Sequence, residues 1–159
     1  MSKYDQAQDR DANYAVLAGW LPFKASKRIT FLGGTANAIG DDGGALDPFT
    51  IFTVTGDVLV YVFGICKTTL VGAATIEVGV AGSTASLIAQ VAAATAIAVN
   101  EGWHDDTSVL AEGFTPQIHP IGGGLDVIGT ITTADITAGV IDFYCFWRPL
   151  SSDGAVVGD

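Results

Sequence analysis

Two ten-residue runs constrain this chain more than any other part of it: Val58-Leu-Val-Tyr-Val-Phe-Gly-Ile-Cys-Lys67 and Gly139-Val-Ile-Asp-Phe-Tyr-Cys-Phe-Trp-Arg148. Both are dominated by β-branched and aromatic residues, which suit a pleated, half-buried surface. Turn formers bound them, Thr55-Gly56-Asp57 before the first and Arg148-Pro149 at the end of the second. They read as the two long central strands of an all-β domain. Alternation along the second places Ile141, Phe143, Cys145 and Trp147 on a core face, and Asp142, Tyr144, Phe146 and Arg148 on a face with the aromatic-plus-arginine character of contact surfaces. In the first run both faces are apolar. An antiparallel strand normally keeps one polar face, so cover on both sides is expected there.

The rest of the chain supplies shorter strands. Arg28–Leu32, Phe49–Thr55, Ala74–Val80, Leu87–Val91, Ala96–Trp103, Thr107–Glu112 and Leu125–Thr132 have strand character and are separated by glycine-rich turns. The expectation is an antiparallel β-sandwich, jelly-roll-like, of eight or nine short strands. Phe49–Thr55 and Val58–Lys67 flank the two-residue turn Gly56-Asp57 and predict a hairpin. Ala89–Ala98 has the propensity for helix, but Val91, Thr95, Ile97 and Val99 favour strand. Gly33–Asp47 is long for a structureless connection, so it either acts or covers something. Residues 1–28 lack strand alternation. Their Tyr14, Leu17, Trp20, Leu21 and Phe23 would be costly to leave in water, which predicts an N-terminal docking arm ahead of a domain at 29–159.

Composition narrows the function classes. Charged residues are 15% and hydrophobic ones 49%, with mean hydropathy +0.43, which is apolar for a lone soluble domain. The longest uncharged run, Val78–Asn100, is alanine-rich and interrupted by Gln90 and several hydroxyls, so burial against other subunits explains the apolarity better than a membrane span. The net charge of −10 disfavours nucleic acid as a partner. The first residues lack the apolar core of a secretory signal. Cys66 and Cys145 lie inside the central runs and read as buried free thiols of a cytoplasmically made protein.

No chemical motif stands out. His104 and Asp105 are adjacent, so on a strand they would point apart, and a polar turn is the better reading. His119 is followed by Pro120. Ser83 and Ser86 fall in a predicted flexible turn, outside any nucleophile elbow. Lys67 beside Cys66 points to the other face and cannot activate the thiol. Gly122-Gly123-Gly124 precedes a strand, so it lacks the helix N-terminus of a phosphate loop. Asp41, Asp42 and Asp47 offer oxygen ligands for a weak cation site, but at no EF-hand spacing. Glu77, Glu101, Glu112, Asp126 and Asp142 supply carboxyls without a favoured pair for glycoside hydrolysis. The expectation is a non-catalytic protein with no metal and no cofactor.

The segments Ile29-Thr-Phe-Leu-Gly-Gly-Thr-Ala-Asn-Ala-Ile-Gly40, Phe52-Thr-Val-Thr-Gly-Asp-Val58, Asn100-Glu-Gly-Trp-His-Asp-Asp106 and Ile136–Asp153 resemble small virion structural proteins of tailed bacteriophages and prophages. The resemblance covers about residues 29–153 and is structural rather than catalytic. It implies an auxiliary head protein on the capsid exterior, β-rich and homo-oligomeric, often a trimer, with the major capsid protein as partner. The contact surface expected from the residues is Tyr14, Trp20, Phe23, Tyr61, Phe63, Tyr144, Phe146 and Arg148. A second expectation, a tail or head-fibre component that binds the host surface, would use loops Gly33–Asp47 and Gly113–Gly124.

Overall fold

The computed structural model describes residues 21–105, 107–110 and 117–158. The chain is all-β: β1 (Phe23–Thr30), β2 (Phe49–Thr55), β3 (Val58–Val71), β4 (Thr75–Val80), β5 (Ser83–Ala92), β6 (Gly102–Trp103), β7 (Ile118–Ile121), β8 (Val127–Thr132), β9 (Ala138–Pro149) and β10 (Ala155–Val157), with one helical turn, α1 (Ala93–Ala96). Two five-stranded antiparallel sheets enclose a single core. The first runs β1-β9-β3, with β6 and β7 sharing the far edge of β3; the second runs β10-β2-β8-β4-β5.

The two long runs are neighbours in the first sheet. Val58 pairs with Pro149, Val62 with Cys145 and Cys66 with Ile141. Their inward positions Val58, Val60, Cys66, Ile141, Phe143 and Cys145 are fully buried, as alternation predicts. Each sheet also has a glycine where a ring needs room. A side chain at Gly64 would press on Ile141 and Phe143, and it lies opposite the buried Trp103. One at Gly129 would overlap the Phe49 ring. The neighbouring side chains thus occupy the space that a β-carbon would take.

Several expectations are corrected. Phe49–Thr55 and Val58–Lys67 do not form a hairpin, because β2 belongs to the second sheet and β3 to the first. Gly56 takes φ +60°, and the turn is held by other segments: Asp57 O accepts Leu150 N and Ser151 N, and Gly56 O accepts Gly124 N. The chain therefore crosses between sheets at this point. The first strand starts at Phe23, not Arg28, so an arm boundary at 28 falls inside β1. Of Ala96–Trp103 only Gly102–Trp103 is strand; Ala93–Ala96 coils once, and residues 97–101 lead back to the edge at Cys66. Thr107–Glu112 shows only an isolated bridge, Val109 to Gly102, within its described residues. Ser83 and Ser86 lie in β5 rather than in a flexible turn. Two strands escape a pattern search: β7 contains Pro120, tolerated because the strand is an edge, and β10 has only three residues.

The loop Gly33–Asp47 is a chain of tight turns. Backbone bonds recur at every third residue, Thr35 to Leu32, Ala38 to Thr35, Asp41 to Ala38, Gly44 to Asp41 and Asp47 to Gly44. It closes one end of the core, pairing with the β8–β9 connection through Gly33 N to Ile136 O and Ile136 N to Gly40 O. Of the two functions open to a long loop, covering is visible here.

Candidate interaction surface

The outward positions of β1, β9 and β3 form one continuous face. Phe63 stacks on Tyr61, Tyr144 and Phe146 with ring centroids 5.3, 5.4 and 6.2 Å apart. The register explains this, since Phe63 lies opposite Tyr144 and Tyr61 opposite Phe146. Tyr61 is buried at 3% exposure, whereas Phe63, Tyr144 and Phe146 are half-buried. Burial, with the nearby charge of Asp105, pushes the Tyr61 phenol well above its ordinary range. Lateral stacking thus gives part of the second cover that the doubly apolar β3 requires.

Charge is concentrated on the same face. The described residues contain Lys24, Lys27, Arg28, Lys67 and Arg148 as their basic groups, and all but Lys27 lie at outward positions of β1, β3 and β9. Lys27 instead points inward and donates to Thr50 O at 3.1 Å, tying the two sheets together at the β1 edge. Asp142 is the one carboxylate on these three strands, and it takes a bidentate bond from Arg28, Nε to Oδ1 at 2.6 Å and Nη2 to Oδ2 at 2.8 Å. That bond, with the charges of Arg28 and Lys67, holds the Asp142 carboxyl below the usual range. The face is cationic on a chain of net charge −10.

Of the residues expected at a contact surface, Phe63, Tyr144, Phe146 and Arg148 share this face and are accessible. Tyr61 belongs to the same stack, beside Phe63, but is buried. Phe23 alternates off this face, since its register partner is Trp147 and the two rings pack 4.8 Å apart, but it is 49% exposed at the edge strand. Tyr14 and Trp20 lie outside the described residues. Sequence reasoning missed Lys24 and Lys67 as members of the surface, although period-two alternation with Phe146 and Phe63 carried the signal.

The remaining candidates resolve into structural roles. Asp41 Oδ2 accepts Asn37 N at 2.6 Å, and Asp47 accepts Gly43 N at 3.1 Å and Ile131 N at 3.0 Å, so these carboxylates hold the loop. Among the described residues no three His, Cys, Asp or Glu side chains converge as a metal site. His104 is buried in a bend, with Nδ1 3.2 Å from Asp105 Oδ2. His119 pairs inward opposite Val60, and burial lowers its pKa. Burial raises both thiols, Cys145 to about 12, which leaves them free and protonated. Glu77 accepts Gln90 Nε2 at 3.0 Å on the outer side of the second sheet. Of the two loops offered for host recognition, residues 113–116 of the second lie outside the described residues and 118–121 are β7; Gly33–Asp47 and the described part of the second lie at opposite ends of β3. Gly33 binds Ile136 near its far end, while Gly123 N donates to Asp57 Oδ1 and Gly124 N to Gly56 O at its start. No helix among the described residues is long and apolar enough to cross a membrane.

No protein-family model matches the chain, and no curated protein or solved structure matches it either.

Proposed function

We propose that this protein is a bacteriophage virion structural protein, a decoration protein that binds the outer head surface at capsomer junctions and stabilises the shell without catalysis. The observation that carries the reading is the stacked, cationic outer face of β1-β9-β3, a surface built for protein contact rather than for solvent. Strand order supports it as well. β1-β9-β3-β6 facing β2-β8-β4-β5 is the arrangement expected of a jelly-roll sandwich, a fold used by capsid domains among others. That is an analogy of fold, and the resemblance in residues 29–153 supplies the link to virions. On this reading the major capsid protein is the partner, the protein assembles as a homo-oligomer, and residues 1–20 form the docking arm. Leu21 is 2% exposed and β1 begins at Phe23, so the arm ends there rather than at residue 28.

The test is direct. Electron microscopy of particles carrying the protein should show a regular array of copies over the head exterior. A few copies confined to the tail tip would replace decoration by host binding. Removing residues 1–20 should leave the two-sheet domain folded and weaken its binding to heads; binding equal to that of the full chain would remove the arm from the reading.

A further inference from the structure

The face just described is one half of a complementary pair. At the end closed by the Gly33–Asp47 loop, Leu32, Leu46 and Val71 are 55, 47 and 50% exposed. Three carboxylates stand with them: Asp42 is exposed, Asp41 is half-buried, and Asp135 accepts Asp42 N at 3.0 Å. No basic residue occurs in the described segments that build this end, 31–48, 71–74 and 133–137. An acidic surface with an apolar centre thus lies on the same molecule as a basic surface with an aromatic centre. The opposite end also carries carboxylates, Asp57, Asp126 and Asp153, with the exposed Leu125 and Leu150, but Arg148 of the cationic face directly precedes its Pro149-Leu150 segment, so that end is not free of positive charge.

We infer that copies of this chain associate head to tail, the acidic loop end of one (Asp42, Asp135, Leu46) seating on the cationic aromatic face of the next (Lys24, Lys67, Phe146, Arg148). A face-to-face dimer is disfavoured. It would oppose four cations with four, relieved on each side by Asp142 and by Asp105 near Tyr61, and like charges brought together at an interface are costly. Because the contact uses two different patches, it is heterologous: it closes into a ring if the rotation permits and otherwise grows. This is a statement about self-association, and it stands or falls without the capsid.

Sedimentation of the full-length chain tests it. Oligomers are expected at about 50 mM salt and should weaken about tenfold or more by about 500 mM, where the Debye length is much shorter. Two reversed variants then separate the patches, Lys67→Glu/Arg148→Glu on the face and Asp42→Lys at the end. All three positions are exposed, and circular dichroism with thermal unfolding checks that each variant is folded. Each variant alone should lose association. An equimolar mixture should regain it, because the native face of one meets the native end of the other. A wild-type chain that stays monomeric at low salt overturns the inference. So do association insensitive to both variants, loss in the face variant alone, and a mixture that fails to recover.

Discussion

The outer face of the first sheet carries stacked rings and four cations, while that of the second carries threonines bonded to one another. Thr75 Oγ1 lies 2.6 Å from Thr132 Oγ1, Gln90 reaches Glu77 and, at 3.4 Å, Thr132, and Thr50 and Thr130 share the outer rows with the apolar Ile128. Both sheets bury the same kind of inner layer, so the difference is not one of folding demand. Threonine on a pleat satisfies β-propensity and water together. Aromatic residues at equivalent outward positions satisfy propensity and leave apolar area exposed, and a second surface is needed to remove it from water. The contrast separates a polar, hydrogen-bonded outer face from an aromatic and cationic one.

The inner layer sets the largest effect against which the two faces are to be compared. Phe143→Ala removes a fully buried ring that packs against Trp103, at 6.2 Å between centroids, and should destabilise the domain by about 3–5 kcal/mol in denaturant unfolding. Gly129→Ala drives a methyl into the Phe49 ring of the second sheet, and a loss of about 1–3 kcal/mol is expected. If either change were tolerated without loss, the shared core would not be the common element of the comparison.

The faces themselves should then diverge. Phe63→Ser/Phe146→Ser removes two of the stacked rings, with a stability loss of about 0.5–1.5 kcal/mol per aromatic pair but a loss of at least about tenfold in association, read by sedimentation. Thr132→Val on the other sheet breaks the Thr75 bond and should cost about 0.5–1.5 kcal/mol while leaving association unchanged. A variant pair behaving alike in association would erase the distinction between the faces.

Much of this was legible in the residues, for identifiable reasons. Strict alternation in Gly139–Arg148 gives the inward face Ile141, Phe143 and Cys145, and the density of β-branched and aromatic residues gives both central strands. What alternation does not encode is the sheet to which a strand belongs. Gly56-Asp57 has the composition of a hairpin turn, yet its groups bond to segments nearly a hundred residues later, around Leu150 and Ser151. That information is tertiary. The same holds for Phe23, whose direction off the aromatic face follows from its register with Trp147, and for β7, whose Pro120 hides an edge strand. The loop Gly33–Asp47 looked available for ligands because its carboxylates are plentiful; their backbone partners, Asn37 N and Ile131 N, are visible only in the fold.

The smallest effect has the opposite sign and discriminates best. Asp142 is the one carboxylate on the strands of the cationic face, and its bidentate bond to Arg28 is a surface pair, screened by water and salt. Asp142→Asn should therefore change stability only slightly but strengthen association, because it leaves Arg28 unneutralised before an acidic partner patch. The pH dependence of stability follows from the direction of the shift. Because the folded carboxyl titrates below the unfolded one, the pair contributes above the ordinary aspartate range, and its contribution fades as pH falls through the depressed folded value. Wild type and Asp142→Asn should thus converge in thermal stability in acid and differ slightly at neutral pH. If the variant associates more weakly than wild type instead, the partner patch carries positive charge, and the cationic face would not be the feature that sets the first sheet apart from the second.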